Sequence, residues 1–257
     1  MTTQNTERER ALVIVPTYNE RESIPEVVRR LFDAVGDDVE LLVVDDGSPD
    51  GTAEVVKQLG EGPHPIHLIQ RAGKLGLGTA YIAGFRWAME RGYWVVVEMD
   101  ADLSHDPADV PRLLEGLKGG ADLSIGSRYV PGGGVGNWSR VRRILSAGGN
   151  MYARAWLGYR IKDSTSGFRA YRLTLLEGQD LSSVKSTGYS FQIEMTRRIF
   201  KAGGRIVEVP ITFVEREQGK SKMSRRIVLE ALVSVAGWGI RDRFGKASER
   251  SSDKEDG

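Results

Sequence analysis

No cysteine occurs among the 257 residues. That absence removes disulfides, thiolate zinc sites and cysteine nucleophiles together, and it fits a reducing compartment. Histidine is scarce: His64, His67 and His105 lack the spacing of metal ligands. Net charge is almost missing, with 36 Lys and Arg against 35 Asp and Glu. No overall field draws a polynucleotide, so nucleic acid is not an expected partner. Long apolar runs are missing as well. None reaches the ~18–20 residues that span a bilayer, and residues 227–240 are interrupted by Glu230. The polar opening MTTQNTERER does not read as a signal peptide.

What is present is an alternation of short apolar runs with helix-period segments, the pattern of βαβ units in a mostly parallel sheet. Residues 12–15, 39–44, 66–69 and 93–98 predict the first four strands. A capping box at 23–26 predicts the start of a helix that continues to Gly36. Further helices are predicted over 52–59, 79–91, 140–157, 191–202 and from 225 or 226 to about 240. Strands are predicted at 122–126, 168–171 and 206–213. Pro210 marks the last of these as an edge or a bulge. Short connections predict one α/β domain over 11–240. A flexible N-terminus (1–10) precedes it and a disordered polar tail (241–257) follows.

Chemistry concentrates in loops at strand C-terminal ends, where open α/β sheets bind ligands. M-D-A-D-L-S-H-D-P (99–107) places Asp100 and Asp102 where a buried strand re-emerges. Two neighbouring carboxylates repel unless a cation or a proton offsets them. Hard oxygen ligands suit Mg²⁺ or Mn²⁺, with substrate phosphates completing the shell. The loops P-T-Y-N-E (16–20) and D-D-G-S-P-D-G (45–51) offer a ring and carboxylates for a nucleoside. R-A-G-K-L-G-L-G (71–78) offers amides and cations for a diphosphate. Each alone is ordinary turn chemistry; four in order are not.

With these loops the chain resembles the inverting GT-A glycosyltransferases that use nucleotide sugars, and more narrowly the dolichol- and polyprenol-phosphate mannosyltransferases. V-P-T-Y-N-E, V-V-D-D-G-S-P-D-G-T, K-L-G-L-G-T-A and M-D-A-D-L-S-H carry the general likeness. G-S-R-Y (126–129), D-S-T-S-G-F-R (163–169) and R-E-Q-G-K-S-K (216–222) carry the narrower one. The resemblance implies a GT-A fold with a Rossmann-like, mostly parallel sheet flanked by helices. It also implies a GDP-mannose donor, a divalent cation and a polyprenyl-phosphate acceptor.

Carried over by position, Pro16, Tyr18, Glu20, Val44 and Asp46 would hold the guanosine. Asp100, Ala101 and Asp102 would lie at the diphosphate, the two aspartates binding Mg²⁺ or Mn²⁺. Arg128, Arg216 and Lys222 would meet donor phosphates or sugar, and Arg128 joins Asp100 and Asp102 as a catalytic candidate. Arg142 and Ser146, with Arg143 beside them, would meet the acceptor phosphate. Asp163 and Arg169 either meet substrate or pair with each other. Residues 218–224, with Gly219, Lys220 and Lys222, read as a flap over the nucleotide.

A lipid monophosphate is largely ionised at neutral pH, so no general base is needed. The bilayer-bound acceptor places the enzyme at a membrane surface, as a peripheral protein on the cytoplasmic face, with room for a separate anchor protein. Leu229, Leu232, Val233, Ala236 and Ile240 form one apolar stripe suited to that contact. Two alternatives stay open: the same chemistry with another hexose, as in a polyprenyl-phosphate glucose synthase, and a non-catalytic nucleotide-sugar-binding subunit.

Overall fold

The computed structural model describes residues 10–186, 188–214 and 225–252. Its centre is a seven-stranded sheet of order β3-β2-β1-β4-β7-β5-β8. The strands are β1 (Ala11–Thr17), β2 (Val39–Asp45), β3 (Ile66–Gln70), β4 (Val95–Glu98), β5 (Leu123–Ser127), β7 (Arg169–Arg172) and β8 (Ile206–Pro210). A two-stranded sheet joins β6 (Gly134–Val135) to β9 (Thr212–Phe213). Helices α1 (Ile24–Ala34), α2 (Thr52–Gly60), α3 (Leu77–Met89) and α4 (Val110–Lys118) flank the first half. Helices α5 (Arg140–Leu157), α6 (Leu173–Glu177), α7 (Tyr189–Lys201) and α8 (Arg225–Ser252) belong to the second.

Period-two alternation along the buried strands feeds both faces of the sheet. Val13 and Val15 of β1 pack with Val27, Leu31 and Leu113 of α1 and α4. Leu12 and Ile14 pack with Tyr81, Phe85 and Phe191 of α3 and α7. The register pairs Thr17 with Asp45 and Asp45 with Gln70, so β1, β2 and β3 end level. Their loops therefore emerge side by side, as the sequence predicts.

Several expectations change. Ser23 sits in helical conformation with no capping bond, and its hydroxyl donates back to the Glu20 carbonyl and carboxylate. Glu26 instead pairs with Arg29 and Arg30, so the capping box does not form. Strand β7 runs antiparallel between β4 and β5. The single strand expected over 206–213 is two. Pro210 ends β8 at the sheet edge, and the chain then crosses to pair with β6. The glycine loop at 132–134 is therefore anchored: a side chain at Gly133 would meet the Ser127 carbonyl at 2.4 Å. Finally, α8 continues beyond residue 240. Asp242 accepts from Arg197 and Lys201, and Arg243 donates to the Ala155 carbonyl, tying this turn to α7 and α5.

Candidate active site

The residues expected at the donor gather where β1, β2 and β4 end. Asp45 is fully buried and accepts from Thr17 Oγ1 at 2.9 Å and from the Ser48 amide at 2.9 Å. It braces the first two loops against each other. Asp46 turns toward the third loop, accepting from Arg71 Nε at 2.5 Å and the Leu75 amide at 3.2 Å. Arg71 of the 71–78 loop is thus engaged by Asp46. Lys74 instead lies 4.3 Å above the Tyr18 ring. Pro16 is near the end of β1, and Glu20 follows Tyr18 in the next loop, where its carbonyl accepts from the Ile24 amide at the start of α1. Val44, also expected at the guanosine, precedes Asp45 at the end of β2. Its side chain is fully buried in the core beside Leu42, which leaves only backbone to a ligand.

Asp100, Ala101 and Asp102 follow β4. Asp102 Oδ1 accepts from the Ser104 amide at 2.9 Å and its hydroxyl at 2.5 Å, which fixes that carboxylate's orientation. Leu103 adopts φ +60°, a left-handed turn that a bulky residue takes only at a cost. His105 is buried, stacked on Phe168 and edge-on to Phe213, with Nδ1 3.7 Å from Asp100 Oδ2. Burial pushes its pKa down to about 4, so it is neutral beside the aspartates. Glu98, two residues before Asp100, is fully buried and pushed up to about 8 by desolvation; Gln192 donates to it at 2.8 Å. Among the described residues no cluster of three or more His, Cys, Asp or Glu could enclose a metal ion. The pair Asp100 and Asp102 fits a cation that keeps positions for diphosphate oxygens.

A second group of polar side chains forms around Arg128, the candidate expected at the donor, which follows β5. Its Nε and amide N both donate to Asp163 Oδ2, at 2.7 and 3.0 Å, and one Nη reaches Asp163 Oδ1 at 2.6 Å. Burial alone would depress the Arg128 pKa, but the Asp163 charge outweighs it and holds the pKa above the ordinary value. Asn150 of α5 joins this network through Asp163, Thr165 and the Ser164 amide. Asp163 and Arg169 do not pair with each other. Arg169 is fully buried and donates to the carbonyls of Ser164, Ser166 and Gln192 and to Thr196 Oγ1, holding the 163–169 loop on α7.

Arg128, Arg142 and Ser146 line one cavity of about 130 Å³. Its other walls are Trp138, Leu145 and Tyr152 beside α5, Tyr189 and Ile193 of α7, and Leu232 and Val235 of α8. One end is cationic and the remainder apolar. Arg143 is not part of this lining; it reaches the Val135 carbonyl at 3.5 Å. Tyr189 connects the two half-sites. Burial pushes its hydroxyl pKa up, and the charges of Arg128, Asp100, Arg142 and Asp102 all act on it. Tyr189 shares the cavity lining with Arg128 and Arg142 and also feels the charges of Asp100 and Asp102. Asn150 is legible only as a position in the predicted helix 140–157, and α7 begins at Tyr189, two residues before the start predicted at 191. Arg216, Lys222 and the flap at 218–224 lie outside the described residues.

The profile of glycosyl transferase family 2 matches residues 12–178. The polyprenol monophosphomannose synthase of Mycolicibacterium smegmatis is 54% identical over 240 residues, covering 93% of this chain and 90% of that protein. The undecaprenyl-phosphate mannosyltransferase of Micrococcus luteus is 53% identical over 235 residues, covering 91% and 96%. Among solved structures, Mycobacterium tuberculosis glucosyl-3-phosphoglycerate synthase with Mn²⁺, UDP and glucosyl-3-phosphoglycerate superposes with a TM-score of 0.65. That match is 23% identical and covers 90% of this chain and 81% of the other, a likeness of fold. The chain belongs to glycosyl transferase family 2 and, within it, to the group of polyprenol- and dolichol-phosphate mannosyltransferases.

Proposed function

We propose that this enzyme transfers mannose from GDP-mannose to a polyprenyl monophosphate, with inversion and with a divalent cation held by Asp100 and Asp102. The observation that carries this reading is the cavity whose cationic end, Arg128, Arg142 and Ser146, opens onto an apolar wall. A phosphate group and a hydrocarbon chain need those two surfaces side by side. The relatives named above act on polyprenol or undecaprenyl phosphate by their names, which supports the same acceptor class here.

In this reading Tyr18 stacks on the base, after Lys74 leaves its ring or closes over the nucleotide. Asp46 keeps the 71–75 loop in place for that contact. The bound cation supplies charge neutralisation for the departing diphosphate. Arg142 and Ser146 hold the acceptor phosphate, and a phosphate oxygen attacks the anomeric carbon as the bond to GDP breaks. The attacking oxygen is already anionic, so no proton needs removal and no side chain acts as base. Rate enhancement then comes from positioning and from charge stabilisation.

The acceptor's hydrocarbon also directs the protein to a bilayer. No described helix is long and apolar enough to cross a membrane. Outward-facing apolar side chains nevertheless gather on α5, at Val141, Ile144, Leu145 and Met151, and on α8, at Leu229, Val233 and Ile240. The expected stripe on α8 divides: Leu229, Val233 and Ile240 face outward, while Leu232 lines the cavity beside Val235. These two faces suit a peripheral contact, with or without a separate anchor protein, and the cytoplasmic leaflet is where nucleotide sugars are found.

A GDP-release assay with polyprenyl phosphate, run with Mg²⁺, Mn²⁺ or chelator, tests the reading. Release that needs both cation and acceptor supports it. Binding of GDP-mannose without any turnover would favour a nucleotide-sugar-binding subunit instead.

A further inference from the structure

Trp138 lies at the residue before the Ser139 N-cap of α5 and is only 7% exposed. It stands between the two arginines of the cavity. The Arg142 guanidinium carbon is 4.3 Å from its ring centroid, and that of Arg128 is 5.3 Å away. Phe213 of β9 backs it edge-on, with centroids 5.4 Å apart and planes at 72°, and Arg128 lies 5.7 Å from that second ring. The indole N–H has no hydrogen-bond partner among the described residues. Leaving that donor unpaired costs free energy that an all-carbon ring would not, which sets a cost against the packing gain of the larger indole. Its ring face is, however, the strongest cation–π partner among the side chains.

From this juxtaposition we propose that Trp138 is a positioning residue of the acceptor site: it presents the Arg142 and Arg128 guanidiniums to an anionic oxyacid headgroup, a phosphate monoester of a lipid. The inference rests on the acceptor reading given above. Two like charges in one wall repel each other, and a long arginine loses much rotamer freedom when it is fixed. Asp163 offsets and orients Arg128. Arg142, one turn into α5, is steadied on the indole face, which restricts its fork before the phosphate arrives. The Phe213 edge keeps the indole upright, and β9 leads directly into the segment that carries Arg216.

The test compares Trp138→Leu and Trp138→Phe with the full-length wild type, by steady-state transfer and by calorimetry with farnesyl phosphate. Trp138→Leu should raise the acceptor KM, and weaken farnesyl phosphate binding, by roughly five- to thirtyfold, the range of a desolvated cation–π contact. Trp138→Phe should lie between, and the affinity for GDP should move less than twofold. In the Arg142→Ala background Trp138→Leu should lose most of its effect, keeping only the smaller part that runs through the more distant Arg128. Full additivity there, or an equal loss of GDP affinity, would overturn the proposal by marking a general packing role. Should Trp138→Leu unfold, Trp138→Phe decides: an unchanged acceptor KM overturns the proposal and a partial rise supports it. If the wild type transfers no sugar yet binds farnesyl phosphate in a Trp138-dependent way, the reaction assigned above fails while this inference stands.

Discussion

Arg128 and Asp163 form a two-pronged ion pair, 2.7 Å and 2.6 Å, in which neither side chain is more than 6% exposed. The pair joins the end of β5 to the D-S-T-S-G-F-R loop and fixes one wall of the acceptor cavity. Such pairs add little net stability against an apolar pair of equal shape, yet removing one partner strands a buried charge. Asp163→Ala should therefore cost about 3–5 kcal/mol and most of the activity, read by thermal unfolding and transfer rate. Retention of wild-type stability would show that Arg128 finds another counter-charge.

The same pair sets a pH dependence. Burial raises the Asp163 pKa, but Arg128 outweighs that and holds it below its ordinary value. A depressed carboxylate contributes stability above the unfolded value, about 4, that is lost as pH falls through the folded value. The gap in melting temperature between wild type and Asp163→Asn should be widest near neutral pH and close below pH about 4. A gap that stays constant with pH would contradict this.

Asp102→Ala should abolish transfer, by about a hundred- to a thousandfold or more, with the fold intact. Asp102 accepts from the Ser104 amide and hydroxyl within its own turn and is only half-buried at the end of β4, outside the apolar core. Turnover and unfolding with and without Mn²⁺ decide the matter. Full activity in the folded variant would remove the cation from this position.

Arg142→Ala should raise the acceptor KM or lower kcat while leaving GDP affinity nearly unchanged. Its guanidinium lines the acceptor cavity and rests on Trp138. Equal losses for donor and acceptor would move this arginine to the donor side.

Leu229→Ser with Val233→Ser should weaken flotation with anionic liposomes severalfold without lowering the melting temperature. Both side chains are about two-thirds exposed, at 64% and 66%, so the fold loses little by their change. Undiminished flotation would shift the contact to α5 or to a partner protein.

Much of this arrangement is legible in the residues. Apolar runs, each followed by a polar loop, locate β1, β2, β3 and β4 and bring Tyr18, Asp46 and Asp102 to one edge. The antiparallel β7 is not legible, because a run such as 168–171 carries no direction. Arg169 even argues against burial until its carbonyl partners are known. The pairing of Asp163 with Arg128 spans 35 positions and is fixed by β5 lying next to β7, a tertiary fact. The motif D-S-T-S-G-F-R brings Asp163 and Arg169 together in sequence, whereas folding buries Asp163 against Arg128 and sends Arg169 onto carbonyls beside α7. Nothing in the sequence singles out Trp138; its ring meets Arg142 from α5 and Arg128 from the end of β5 only in the folded chain. The Ser23 capping box fails for a local reason: the Glu20 carbonyl already starts the helix turn.

The most direct test of the assignment is the identity of the lipid product. Purified enzyme with Mn²⁺, polyprenyl phosphate and an equimolar mixture of GDP-mannose and UDP-glucose should yield a polyprenyl-phosphate hexose, analysed by mass spectrometry and by NMR of the anomeric centre. The account predicts mannose in β linkage, and no lipid product once chelator is added. Glucose on the lipid, an α linkage, or undiminished product in chelator would contradict it.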